Sequence, residues 1–196
     1  MAPVYSDLTP LGSEALDFKL LGIDGKTYKW NDFRSARACV IAFICNHCPY
    51  VIAIQGRLNT LAQEYGSRGV QVIAINSNDA IRYPEDCFEA MQVRSQEQGF
   101  VFPYLWDETQ EVARAYGAVC TPEFYLYSSQ DQGEGEKDRK WFLKYKGRLD
   151  DHWKDEKAVT RRELAMALDD VLEGREPLFE QKPAMGCSIK WKRDAS

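Results

Sequence analysis

Two apolar runs of strand length, CVIAFI at residues 39–44 and VQVIAI at residues 70–75, bracket a stripe of helical period. Continuous apolar runs of this length suit strands buried on both faces. Between them Val51, Ile54, Leu58, Leu61, Ala62 and Tyr65 recur at helical spacing, and the stripe stops before Gly66 and Gly69. Residues 85–98 form a polar stretch with an apolar face at Phe88 and Met91, read as an amphipathic helix. A short strand over 101–105 and a short helix over 109–116, closed by Gly117, follow. Thr121-Pro122 then leads into a strand at 123–127. A polar, Gly-containing turn at 128–138 separates it from a returning strand at 141–145. A last helix spans 160–172, with Thr160 as its cap and Glu163 completing a capping box. Ahead of all this, residues 16–20 and 27–30 flank Asp24-Gly25 as an N-terminal hairpin. After Gly174 the chain holds Pro177 and Pro183 and no periodic pattern. The order is α/β: an N-terminal β-hairpin extension and a mixed central β-sheet flanked by helices on both faces. No linker divides it, so residues 1–196 read as a single domain with an irregular C-terminal tail at 175–196.

Hydrophobic residues make up 44% and charged residues 28% of the 196 positions, an ordinary globular balance with chain enough for one core. Net charge is −5, from 25 basic and 30 acidic residues, with no basic patch for nucleic acid or an anionic membrane. The N-terminus shows no basic segment followed by an apolar stretch. No run approaches the roughly 18 apolar residues of a membrane span. A cytoplasmic location is the expectation.

Six cysteines are too few for a disulfide-built scaffold. The informative pair is Cys45 and Cys48 in FICNHCPYVI, where the first apolar run ends. Proline is tolerated in the first helical turn, best at its first position, so Pro49 places the helix start. Cys48 then sits at the N-cap, where unpaired amides and the helix dipole stabilise a thiolate. Cys45 falls in the preceding loop, close enough to form a disulfide. Cys48 is therefore the expected nucleophile and Cys45 the resolving thiol, with His47 between them as a source of positive charge.

Other readings stand beside this one. Paired cysteines at a strand end also serve as buried apolar residues. A zinc knuckle needs four ligands, and no second C-x-x-C completes one unless His152, Cys87 and Cys120 converge by folding. A copper or zinc carrier using Cys45 and Cys48 with His47 or His152 is the alternative function. Cys120 reads equally as a third thiol at the site or as core. Cys39 reads as packing, Cys87 as a helix-start residue without a partner, and Cys187 as a tail cysteine docked on the body.

A strand, a C-x-x-C, a helix and a distant Thr-Pro opening an antiparallel strand together resemble the thioredoxin superfamily. More closely, the chain resembles the peroxiredoxin-like branch of the alkyl hydroperoxide reductase and thiol-specific antioxidant (redoxin) group. FICNHCPYV, VQVIAINSND, DETQEVARAYGAVCTPEFYLY, GRLDD and GCSIKW carry the likeness, which extends over residues 15–191. It implies a thioredoxin-like fold, a cis peptide at Thr121-Pro122 beside the thiols, and backbone groups of Thr121 that bind an incoming sulfur or peptide. Counting five residues on from Phe43 also selects Cys48, with Val51 in the place of the thioredoxin second cysteine. In the peroxiredoxin T-x-x-C pattern, Cys48-Pro49 matches the peroxidatic site and Cys45 replaces the threonine. Two peroxiredoxin features are missing. Ile41 stands where the proline seven residues upstream belongs, and the arginine ahead of Phe124 is absent, which leaves Arg148 as the substitute to consider.

The resemblance implies an oxidoreductase with a redox-active disulfide, acting in thiol–disulfide exchange or as a peroxiredoxin-like antioxidant. Cys48 and Cys45 are its catalytic pair, supported by Thr121, Pro122, His47 and Cys120. No separate cofactor is required. The expected partners are a reducing thiol protein or small thiol and a disulfide or peroxide substrate, with room left for a homodimer.

Overall fold

The computed structural model describes residues 2–7, 10–129 and 140–193. In chain order its elements are β1 (Val4–Tyr5), β2 (Lys19–Gly22), β3 (Thr27–Lys29), β4 (Ala38–Phe43), α1 (Pro49–Gly66), β5 (Val70–Asn76) and α2 (Phe88–Gln98). Then come β6 (Tyr104–Trp106), α3 (Glu111–Tyr116), β7 (Cys120–Thr121), β8 (Glu123–Ser129), β9 (Trp141–Gly147), α4 (Glu163–Leu172) and β10 (Met185–Ser188). Among the described residues, seven strands form a mixed sheet in the order β3-β2-β6-β5-β4-β8-β9, and β1-β10-β7 form a smaller antiparallel one. The central strands β4 and β5 run parallel, as do β5 and β6, whereas β8 lies antiparallel to β4 and β9 to β8.

Every residue of β4 is buried, because helices and loops cover both faces of the sheet. Its alternation divides the core. Val40 and Ala42 face α1 and α4, while Cys39, Ile41 and Phe43 face Trp30, Tyr116 and the N-terminal hairpin. The whole predicted stripe of α1 is buried, together with Gln55. Gly117, with φ +64°, ends α3 in the left-handed conformation that glycine adopts without steric cost. No helix among the described residues is long and apolar enough to cross a membrane.

Four expectations need correction. The tail is not irregular throughout: Met185–Ser188 forms β10 between β1 and β7. Backbone pairing on both sides, rather than apolar alternation, holds this strand. The last helix begins at Glu163, with Arg162 at its N-cap, so the Thr160/Glu163 capping box is absent. The Thr160 hydroxyl binds the Asp151 carboxylate instead, and Glu163 binds Arg148 at 2.5 and 3.0 Å. The strand expected at 101–105 runs from Tyr104 to Trp106. The expected turn at 128–138 begins inside β8, and its remainder lies outside the described residues.

Candidate active site

The β4 strand delivers the chain to the loop at residues 44–48, and Pro49 opens α1 one residue after Cys48. Cys48 is the N-cap, in extended conformation at φ −71°, ψ 121°, and its carbonyl accepts the first helical hydrogen bond from Ile52. As a thiol, Cys48 Sγ donates to the Thr121 carbonyl at 3.1 Å. As a thiolate it is served by the Cys45 thiol first, then by the Cys187 thiol and the amides of Val51 and Cys187. Burial works the other way, but these donors outweigh it and bring Cys48 down to about 5. Cys45 moves oppositely. Burial pushes its pKa up, and its hydrogen bond to Cys48 and the nearby Asp86 charge add to the rise. Its Sγ lies 3.3 Å from the Thr121 hydroxyl.

The Thr121–Pro122 peptide is cis, as the resemblance implied. Thr121 thus meets both sulfurs of the C-x-x-C, one through its carbonyl and one through its hydroxyl. Pro122 lines a cavity of about 190 Å³ with Tyr5, Ile54, Arg148, Trp153 and Met185.

His47 Nδ1 bonds Asp86 Oδ2 at 2.6 Å, and its ring stacks on Tyr83 at 5.4 Å. The Asp86 hydrogen bond raises the imidazole pKa despite partial burial. Asp86 itself is fully buried. Burial pulls its carboxyl pKa up, but bonds from His47, Asn78 and the Asn46 amide prevail and hold it below the usual range. Neither Asp86 nor Asn78 is prominent in the sequence. Asp86 sits in a PED turn that reads as surface, remote from the cysteine motif.

Cys120 is core rather than a third thiol on Cys48. Its buried Sγ faces Glu123 Oε2 at 3.8 Å, and burial together with the Glu123 charge drives its pKa far up. Cys39 is packed inside β4 and points at the Phe33 carbonyl. Cys87 caps α2. Arg148 is committed to Glu163. His152 lies in the loop that Arg57 binds, accepts from the Asp155 amide, and is not grouped with the thiols. Cys187, by contrast, is on β10 in register with Thr121 and packs against the core cluster that contains Cys48 and Cys45.

The family described as AhpC/TSA matches residues 11–145. The chain belongs to the AhpC/TSA family. An uncharacterised conserved protein from Geobacillus kaustophilus is 45% identical over 100% of this chain and 99% of that one, with a TM-score of 0.88. A hypothetical protein from Sinorhizobium meliloti 1021 is 39% identical over 96% and 98%, with a TM-score of 0.86. Peroxidoxin BcpB from Mycobacterium tuberculosis, at 17% identity over 60% and 78% with a TM-score of 0.51, shares the fold alone. No curated protein matches this chain. The chain is a thioredoxin-superfamily redoxin with a thioredoxin-like fold, and thiol redox chemistry is the general function this membership supports.

Proposed function

We propose that this redoxin is a thiol–disulfide oxidoreductase in which Cys48 attacks and Cys45 resolves. The observation that carries the proposal is the placement of two adjacent thiols: Cys48 at the N-cap of α1, where helix amides favour its thiolate, and Cys45 sealed in the core against the Thr121 hydroxyl, where burial favours its thiol. The Cys48 thiolate attacks one sulfur of a substrate disulfide. A new S–S bond forms to Cys48, the substrate S–S bond breaks, and the released thiolate takes up a proton. Cys45 then loses its proton, assisted by its hydrogen bond to the Thr121 hydroxyl, and attacks Cys48 Sγ. The second substrate thiol leaves and two electrons have passed to the substrate. Asp86 fixes the His47 imidazole beside the loop and, once the ring is protonated, balances its charge, so the pair adds no net positive charge there. A thiol protein or small thiol resets the disulfide.

The same sulfur would attack a peroxide oxygen to give a sulfenic acid. Exchange is favoured because Cys45 occupies the position where the resemblance places a threonine, and because Glu163 holds the candidate arginine, Arg148. A second reading, metal carriage, draws support from Cys45, His47 and Asp86, whose ligand atoms lie within 4.8 Å of one another. Against it, the Asp86 oxygens are already served by three hydrogen bonds. Rapid mixing of reduced protein with a small disulfide and, separately, with hydrogen peroxide tests the proposal. Cys48→Ser should abolish the disulfide reaction, and full reactivity in that variant would end the assignment. Stoichiometric zinc or copper that is lost on Cys45→Ser would favour the metal reading.

A further inference from the structure

The β10 strand covers the edge of the cis-proline segment. Cys187 pairs with Thr121 and Ser188 with Cys120, while Gly186 and Met185 pair with Val4 and Tyr5 of β1. Its ends are fastened. Ser6 and Ala184 exchange two hydrogen bonds of 2.9 Å, Ile189 donates to Val119, and Lys190 donates to the Asn78 side chain at 2.8 Å. The approach is close enough to require glycine at position 186, where a Cβ would lie 1.9 Å from the Thr121 carbonyl oxygen. The strand therefore sets Cys187 beside Cys48: it pairs with Thr121, whose carbonyl accepts from Cys48 Sγ, and it packs on the cluster that holds Cys48. The two partner thiols of Cys48 differ in access. Cys45 is 2% exposed, whereas Cys187 is only half-buried.

We propose that Cys187 is a further catalytic thiol, which forms a disulfide with Cys48 and carries it to the surface where an external thiol reductant attacks. This rests on Cys48 being the nucleophile. Cys187 offers a closure parallel to that of Cys45, in which it loses its proton and attacks Cys48 Sγ in the mixed disulfide. A Cys48–Cys187 bond forms, the bond from Cys48 to the substrate breaks, and the departing substrate thiolate takes a proton. In the resetting step a reductant thiolate attacks Cys187 Sγ, and Cys48 departs as a thiolate. A second reductant thiol then releases Cys187 and leaves the reductant as a disulfide. The direction follows from leaving-group chemistry, because exchange is faster when the lower-pKa sulfur departs. Cys48 is that sulfur, which is held down while burial and the Cys48 charge push Cys187 up to about 11. Attack must then fall on the partner of Cys48, itself 0% exposed, and of its two partners Cys187 is the one nearer the surface.

The test oxidises the reduced full chain with hydroxyethyl disulfide, quenches in acid, and maps the linkages by peptide mass spectrometry. Cys45→Ser should still close, about two mass units below its reduced form, with Cys48 and Cys187 joined. Gly186→Val in that background should displace β10 and stop the reaction at the Cys48 mixed disulfide, with the fold checked by circular dichroism. Cys187→Ser should be reset by glutathione at least roughly tenfold more slowly than wild type. A Cys45→Ser protein that halts at the mixed disulfide, or a Cys187→Ser protein reset at the wild-type rate, overturns the proposal. Failure of wild-type Cys48 to react at all overturns the proposed function first, and this inference with it.

Discussion

At the scale of single residues, Cys45 and Cys48 are the same functional group at opposite ends of one loop turn, and their surroundings separate them. Cys48 has amides and thiols aimed at it and the N-terminus of α1 behind it. Cys45 has burial and a buried carboxylate. The pH profile of iodoacetamide alkylation at Cys48, read by mass spectrometry, should have its midpoint near 5. A midpoint at or above the free-cysteine value of about 8.5 would remove the basis of the mechanism. Cys45→Ser should alter this midpoint, since Cys45 is the largest contributor. Stability follows the same shift. Because the folded chain holds Cys48 ionised below its ordinary value of 9, the contribution is complete above that value and is lost as pH falls from about 9 through about 5. The stability difference between reduced wild type and Cys48→Ser should therefore shrink across that window on acidification.

At the scale of elements, the misread start of α4 provides a second test. If Thr160 and Glu163 formed a capping box, removing either would cost a similar amount. They instead face different partners, and Glu163 is 1% exposed with both oxygens on Arg148. Glu163→Ala should cost about 1–2 kcal/mol in urea denaturation, discounted for the exposed side of Arg148. Thr160→Ala, which loses only an exposed contact to Asp151, should cost less than about 1 kcal/mol. Equal costs would restore the capping box. The contrast also explains what the sequence discloses. The strands β4 and β5 and helix α1 were legible because each carries its own pattern of buried residues. Pro49 fixed the N-cap through local sterics. The β10 strand was hidden because MGCS has no alternation and its order comes from backbone partners far away in the chain. Asp86 was hidden for a related reason: its partner His47 lies 39 residues away, and nothing in PED distinguishes a buried acid from a solvated one.

At the scale of the whole molecule, the thiols lie where the large sheet meets the small one, and Glu123 joins the two. It opens β8 just after the cis peptide, and one carboxylate oxygen accepts from the amides of Val119 and Cys120. The other meets the Tyr125 hydroxyl at 2.8 Å and Lys146 Nζ of β9 at 3.1 Å. Glu123 is fully buried and Lys146 is 2% exposed. Two buried charges stabilise a fold weakly in net terms, but removing one of them leaves the other unpaired in low dielectric. Lys146→Met should therefore cost about 3–5 kcal/mol, while Glu123→Gln with Lys146→Met together should recover much of that loss. The thermal midpoint should follow, falling by roughly 2–4 °C for each kcal/mol in a chain of this size. Loss of the pair should also reach the redox site, because the Glu123 carboxylate orients the amides that lead into Thr121. Slower reaction of Cys48 with a small disulfide in Lys146→Met, under conditions where the variant stays folded, is the expected sign. A Lys146→Met variant that costs under about 1 kcal/mol would mean that the joint between the sheets holds without the ion pair.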